Sequence, residues 1–545
     1  MEIKDEPKYI IEGSAKIFEE GNVFYNPVQE FNRDVSICVL NTFMSMFREE
    51  LLSKKERVKK NEEPKPPKKI RVLEALAATG LRSIRYAKEV EGLDEIIAND
   101  LMNQAVNMIN KNVKANGVED KVTTSHADAV TLMYTTKPDN KFTVIDLDPY
   151  GGPNRFLDGA VQSVVDGGLL LITATDMAVL AGNTPEACIV KYGSVPLRSK
   201  ACHEMALRIL IRSVETTANR YGRYIKPLLC LSIDFYVRVF VRIFTGQFQC
   251  KESSTKQSMV YQCTGCDAFT LQPLAIRKSS PENPKSIKFC IPTGPFVSTN
   301  CEHCGHKHHM GGPIWNSQIH DWDFLGELLK FVKSEKGQKL GTYNRILGVL
   351  SVVQEELPEI PLYYTIDQMC CVLKLEVVPQ MKMRSAILHE NYRVSLSHAC
   401  KNSIKTDAPI SLLWDILRSW AKTHPVNPAR FHDGTALKKI LATEPAKDYN
   451  FDDLHPQANP PSRKDALARY PENPAAMWGP GTRSTIMVDK SRMTKNIRNQ
   501  NKNVKRKAKQ RKDNEMKEER EKSPDTKHMK IDDEENNMQD VEVPS

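Results

Sequence analysis

No apolar run in the chain approaches the roughly eighteen residues of a membrane span. The longest candidate, Phe235 to Phe244, is interrupted by Arg238 and Arg242. A secretory signal is also lacking, and Glu2, Asp5 and Glu6 argue against the acid-poor composition of a mitochondrial transit peptide. Without a secretory route, the thirteen cysteines read as reduced thiols or metal ligands, not as a disulfide framework. The expected compartment is nucleus, cytoplasm or both, with a mitochondrial pool left open. The glycine-dense GxGxxG turn is missing as well, so a dinucleotide or a phosphate would be poorly served.

What is present is 545 residues, enough for two or three domains with their own cores. Lys and Arg number 77 against 68 Asp and Glu, a net charge of +9 that permits a polyanionic partner without demanding one. Eleven Lys or Arg and no acid fall between Lys490 and Lys512, whereas Asp532 to Glu535 is acidic.

The chain divides by composition. Residues 1–52 lead into a charged, Pro-rich insertion at 53–69. Across 70–249, apolar runs at Val72 to Leu76, Glu95 to Ala98, Val122 to Ser125, Phe142 to Ile145 and Leu169 to Thr173 read as buried parallel strands. Ser83 to Val90 and Met102 to Asn116 have helical spacing, and Gly117 is placed as a stop. This alternation predicts an α/β fold with an open, doubly wound sheet, and Pro227 to Phe244 adds an antiparallel edge. Residues 250–315 are polar and Cys-rich. Residues 316–480 alternate helical patterns with β-like runs such as Cys370 to Val378, as a second mixed domain would. Residues 481–545 read as a disordered tail, basic and then acidic.

The chemistry centres on Asp146-Leu147-Asp148-Pro149-Tyr150-Gly151. An exocyclic amine on a purine is a weak nucleophile because its lone pair is delocalised. Acceptors in the base plane, Asp148 and the Pro149 carbonyl, would draw that lone pair out of conjugation, and the Tyr150 ring would stack on an extruded base. The bland alternative is an Asp-Pro turn after a buried strand. Other strand ends supply a nucleoside site. Ala77-Ala78-Thr79-Gly80 is a small-residue turn, Asp100 is placed for ribose hydroxyls, and Asp128-Ala129 suits an adenine amine and ring. A donor without phosphates, S-adenosylmethionine, fits this set.

Cys263-Thr-Gly-Cys266 and Cys301-Glu-His-Cys304 form two CxxC knuckles separated by thirty-four residues. Four thiolates complete a tetrahedral Zn²⁺ shell and leave no open position, so the expected metal is structural. The long separation predicts a loop hanging from the site.

Taken together, these segments resemble the tRNA guanine-26 N2-dimethyltransferases. The resemblance rests on Glu12-Gly13, Val23-Phe24-Tyr25-Asn26-Pro27, Asn32-Arg33-Asp34, Ala78-Thr79-Gly80-Leu81-Arg82-Ser83-Ile84-Arg85-Tyr86-Ala87, the Asp148 motif, Thr173-Ala174-Thr175-Asp176-Met177, Lys191-Tyr192-Gly193, Gly312-Pro313-Ile314-Trp315 and Ile404-Lys405-Thr406-Asp407-Ala408-Pro409. It implies a class I S-adenosylmethionine-dependent methyltransferase that modifies the N2 amine of guanosine 26 once or twice. Implied donor contacts are Arg33, Arg82, Asp100, Asp128 and Ala129, with Asp148, Pro149 and Tyr150 catalytic and Phe24 or Tyr25 walling the base pocket. The implied partner is tRNA, with no membrane. Its phosphates would meet a stripe formed by Arg393, His398 and Lys401 to Lys405, or the tail, where Lys505-Arg506-Lys507 also suits nuclear import. The further C-terminal zinc finger of some animal members has no counterpart after Cys400. A zinc-containing tRNA-binding protein without catalysis is the competing expectation, and the adenine N6 amine is the competing substrate.

Overall fold

Runs of β-branched and leucine residues become the central parallel strands of one sheet, which helices cover on both faces, whereas the edge strand Val122–His126 is largely polar and buries only Val122. The computed structural model describes residues 8–19, 25–57, 69–279, 282–283 and 286–470. Phe24, most of the charged insertion and the whole tail lie outside the described residues.

A long helix, α1 (Glu30–Arg57), precedes the alternation of β1 (Arg71–Glu74), α2 (Leu81–Glu89), β2 (Glu95–Asp100), α3 (Asn103–Asn116), β3 (Val122–His126) and α4 (Ala129–Tyr134). It continues with β4 (Phe142–Leu147), α5 (Asn154–Ser163), β5 (Val164–Ala174), α6 (Pro185–Tyr192), α7 (Cys202–Asn219), β6 (Arg223–Ile233) and β7 (Tyr236–Thr245). The strand order is β3-β2-β1-β4-β5-β7-β6. Strands β1 to β5 run parallel, while β7 pairs antiparallel with both β5 and β6. Every residue of β4 is buried. Val72, Val144 and Leu169 share one core with Phe31 and Phe43 of α1, whereas Leu73, Ile145 and Leu170 share another with Leu207 and Leu210 of α7. The period-two alternation thus sends neighbouring side chains into opposite cores.

Strand order reverses between β1 and β4. Their following loops diverge there and open the crevice where such sheets bind ligands. Gly80 ends the β1 turn at φ +74°, a conformation that favours glycine, and a Cβ at Gly80 would stand 3.0 Å from Ile109 Cγ2.

The Cys-rich segment pairs β8 (Gln257–Cys263) with β9 (Phe269–Pro273) and β10 (His308–Trp315). The stretch between the knuckles is therefore no bare loop: it supplies β9 and an antiparallel hairpin, Ile276–Ser279 with Ile287–Cys290. The helices α8 (Trp322–Lys333), α9 (Tyr343–Glu355), α10 (Ile366–Val372), α11 (Gln380–His389) and α12 (Ile410–Thr423) follow, with β11 (Val394–Ser397) and β12 (Cys400–Thr406) between the last two. The expected β-like run from Cys370 is corrected, since Cys370 to Val372 close α10 and no strand follows up to Val378. Ile366, Met369 and Cys370 face the core at spacings of three and four, a periodicity that a short apolar run hides.

Candidate active site

At the β1 turn, Asp100 accepts the Ala78 N–H through Oδ2 and the Met102 N–H through Oδ1, both at 2.9 Å. Each oxygen keeps a lone pair for a further donor such as a ribose hydroxyl. Asp128 caps α4 by accepting the Thr131 N–H at 3.1 Å, and Arg155 Nη2 lies 3.4 Å from its other oxygen. Ala129 beside it is buried. Asp100 and Asp128 thus stand at the carboxyl ends of adjacent parallel strands, β2 and β3.

Asp148 follows the end of β4, and its side chain is 27 % exposed. Arg82, one residue into α2, donates Nη2 to Asp148 Oδ2 at 2.5 Å. Its Nη1 reaches Asn32 Oδ1 and Ser36 Oγ on α1, each at 3.2 Å. Its Nε faces Asp146 at 3.6 Å and Glu74 at 3.8 Å. A single guanidinium therefore ties the ends of β1 and β4 to α1. Asn32 Nδ2 is a buried donor with no partner among the described residues. Next to Arg82 it suits an anionic group such as the carboxylate of a methionine moiety.

Two residues earlier on β4, Asp146 is wholly buried. Tyr86 Oη donates to it at 2.6 Å, and Arg238 Nη2 donates to both of its oxygens at 3.1 Å. Burial opposes its ionisation, but the Arg238 and Arg82 guanidiniums outweigh burial and hold the carboxyl below its ordinary range. Glu74 has the opposite fate. Burial pushes it up to about 8 despite Arg82 and the hydrogen bonds from Ser83. The sequence assigns no role at the site to Arg238, Asp146, Glu74, Tyr86 or Ser36. The available signal was a charge inside an apolar strand, which read only as an interruption.

The loop after Asp148 is clamped in place. Pro149 is buried, Gly151 turns at φ +81°, and Gly151 and Thr175 exchange two hydrogen bonds of 2.9 Å. The Tyr150 ring on this loop is 81 % exposed. Half-buried Tyr25 stacks on Arg33, whose guanidinium is 5.6 Å from the ring centre. Arg33 donates Nε to Glu12 at 2.6 Å and Nη2 to the Asn26 carbonyl at 3.0 Å. Its neighbour Asn32 meets Arg82, which puts the start of α1 beside the crevice.

The four sulfur atoms of Cys263, Cys266, Cys301 and Cys304 lie within 4.8 Å of one another, all buried, with Cys263 to Cys304 at 3.2 Å and Cys266 to Cys301 at 3.7 Å. Zn–S bonds of about 2.3 Å in a tetrahedron place sulfurs about 3.8 Å apart, so the set fits zinc. The four cysteines share a core with Ile366, Leu413 and Trp414, which makes the site part of the C-terminal packing.

His320, Glu356 and His398 also converge, but as a buried polar network and not a metal site. His320 Nδ1 accepts the Cys230 N–H and His398 Nε2 accepts the Ser232 N–H, so one lone pair of each ring is spent on the terminal strand β6. His398 Nδ1 meets Glu356 Oε1 at 2.6 Å, and the Lys405 ammonium lies 3.2 Å from Oε2, where a metal cation would be repelled. This corrects the expected phosphate stripe. Lys405 is 2 % exposed and bridges Glu204 and Glu356, His398 is buried, and Arg393 is held by Asp407 and Glu359. Lys401 remains exposed. A groove of about 780 Å³ lies elsewhere, at the start of β6, lined by Asp321, Asp323 and Glu359 and by Lys226 and Lys256, with Lys226 paired to Asp321.

Residues 5–418 match the family model described as N2,N2-dimethylguanosine tRNA methyltransferase. The chain is 57 % identical to the tRNA (guanine(26)-N(2))-dimethyltransferase of Drosophila melanogaster, over 93 % of this chain and 94 % of the relative. It is 47 % identical to the Homo sapiens protein of that name, over 87 % and 77 %. Among solved structures it is similar to Trm1 from Pyrococcus horikoshii in complex with S-adenosyl-L-methionine. That match has a TM-score of 0.60 and 29 % identity, covering 74 % of this chain and 97 % of the other.

Proposed function

The chain belongs to the N2,N2-dimethylguanosine tRNA methyltransferase family, and on that premise we propose how its residues divide the work. It transfers methyl groups from S-adenosylmethionine to the N2 amine of guanosine 26 in tRNA. The bound donor supplies an electrophilic methyl. Asp100 receives the ribose hydroxyls, Asp128 and Ala129 receive the adenine, and Arg33 and Arg82 hold the methionine carboxylate. Asp148 accepts an N–H of the guanine amine, beside the Pro149 carbonyl. With that hydrogen held in the base plane, the nitrogen lone pair turns out of conjugation toward the methyl carbon. The nitrogen pair would bond to the methyl carbon, the carbon–sulfur pair would stay on the departing sulfur, and the surplus amine proton would pass to the Asp148 carboxylate that already accepts its N–H. Tyr150 stacks on the extruded base, and Phe24 or Tyr25 closes the opposite wall.

The observation that carries this reading is the Arg82–Asp148 ion pair at the point where strand order reverses. A module that only binds tRNA needs neither the pair nor the acids at the ends of β2 and β3. The test is methyl transfer to unmodified tRNA, followed by mass spectrometry of its nucleosides. N2-methylguanosine and N2,N2-dimethylguanosine at position 26 are expected. Methyladenosine in their place would move the chemistry to the adenine N6 amine, and tRNA retention without product would leave the non-catalytic binding protein.

The four cysteines hold a structural zinc. Residues 70–249 serve as the methyltransferase domain, 1–52 contribute to its active site, and 250–315 and 316–480 supply the zinc-binding and tRNA-binding parts. The basic run from Lys490 to Lys512 serves as a tRNA tether and a nuclear import signal. The Saccharomyces cerevisiae relative is named mitochondrial. Among the described residues no helix is long and apolar enough to cross a membrane.

A further inference from the structure

Arg238 stands on β7, the antiparallel strand beyond β5, and its side chain is 2 % exposed. Its Nη1 donates to Thr173 Oγ1 at 2.6 Å. Its Nη2 donates to Ser36 Oγ at 2.8 Å and to both Asp146 oxygens. Ser36 Oγ also receives Arg82 Nη1. Two guanidiniums are thus tied to one carboxylate and one hydroxyl, and Arg82 alone goes on to Asp148.

This arrangement divides two acids between two cations. Asp146 has no exposed side-chain surface, so as an anion it needs a partner inside the protein. Without Arg238, the nearest remaining cation is Arg82, whose Nε is already 3.6 Å away. A shift of that guanidinium toward Asp146 would lengthen its contact with Asp148. Tyr86 Oη already donates to Asp146 and cannot replace a charge. Glu74 competes weakly for Arg82, because burial keeps its proton on up to about pH 8.

We propose that Arg238 is a positioning residue for methyl transfer: by occupying both oxygens of Asp146 it leaves Arg82 free to fix Asp148 against the substrate amine. The proposal rests on the assignment of Asp148. Three variants test it, Arg238→Gln, Arg238→Lys and the charge-balanced pair Arg238→Gln with Asp146→Asn, beside Asp148→Ala. Each is assayed for the single-turnover rate at saturating tRNA and donor and for tRNA affinity. Misplacing a reacting group by about 1 Å costs on the order of a hundredfold. Arg238→Gln should therefore slow transfer about ten- to a hundredfold while tRNA affinity changes less than about twofold. The balanced pair should recover most of that rate, because the neutral amide that replaces the Asp146 carboxylate no longer draws Arg82 away.

A merely structural arginine would lower the thermal stability of Arg238→Gln, and the balanced pair would restore it, but the rate per folded, tRNA-binding molecule would stay at the wild-type value in both. If Arg238→Gln does not fold, Arg238→Lys and the balanced pair decide. A lysine cannot reach Thr173, Ser36 and both carboxylate oxygens together, so it should fall between wild type and Asp148→Ala in rate at unchanged affinity. The proposal is overturned if the balanced pair is as slow as Arg238→Gln, or if Arg238→Lys keeps the wild-type rate. An inactive Asp148→Ala beside a fully active Arg238→Gln overturns this inference alone. An active Asp148→Ala overturns the assignment of Asp148 and this inference with it.

Discussion

Lowering the pH should loosen the seal on the edge of the central sheet through one imidazole. β6 is the terminal strand, so its outward N–H groups have no neighbouring strand, and His320 Nδ1 takes that of Cys230 at 3.3 Å. Burial drives the His320 imidazole from its ordinary 6.5 down to about 3. The folded state therefore binds this proton less readily than the unfolded chain does. Stability from His320 is whole above about pH 6.5 and is lost progressively as the pH falls from there toward about 3. At pH 5 the medium lies about 1.5 units below the ordinary value, and at about 1.4 kcal/mol per unit the loss is about 2 kcal/mol. His320→Asn is the control. Its amide oxygen can take the Cys230 N–H but does not titrate. Urea denaturation of both proteins at pH 7.5 and 5.0 should show the wild type losing about 2 kcal/mol more than the variant over that interval. Equal losses would refute His320 as the source.

Cys301→Ser should remove one thiolate from a shared core, so the purified variant should hold no zinc where the wild type holds one equivalent by elemental analysis, and it should unfold at lower temperature. Equal metal content in the two proteins would contradict the four-sulfur site. Gly152→Ala would place a Cβ 2.7 Å from Tyr192 Oη and 2.9 Å from Asp176 Oδ2, at the base of the loop that carries Tyr150. Overpacking of that size costs about 1–3 kcal/mol, and the methyl-transfer rate should fall about tenfold or more. An unchanged rate would show that the loop tolerates displacement.

The parallel strands were legible because burial on both faces leaves a continuous apolar signature, as in Phe142 to Leu147. The Asp148 motif, the Gly80 turn and the paired CxxC knuckles were legible because each packs its chemistry into a few consecutive residues. What stayed hidden was pairing across long separations. Arg82 meets Asp148 over 66 residues, and Arg238 meets Asp146 over 92. Lys405 read as surface charge because nothing local reveals that Glu204, 201 residues away, neutralises it in the core. The helix at Ile366–Val372 was lost for a different reason, since a short apolar run fits a strand and a buried helix equally well.

On the proposed assignment Asp148 performs chemistry and not binding. Single-turnover methyl transfer by Asp148→Ala, at saturating donor and unmodified tRNA, tests it most directly. Loss of one preorganised electrostatic contact in a transition state costs about a hundred- to a thousandfold, so the rate should fall at least that far while tRNA is still bound with near wild-type affinity. A variant that turns over at the wild-type rate would rule out Asp148 as the acceptor of the guanine amine.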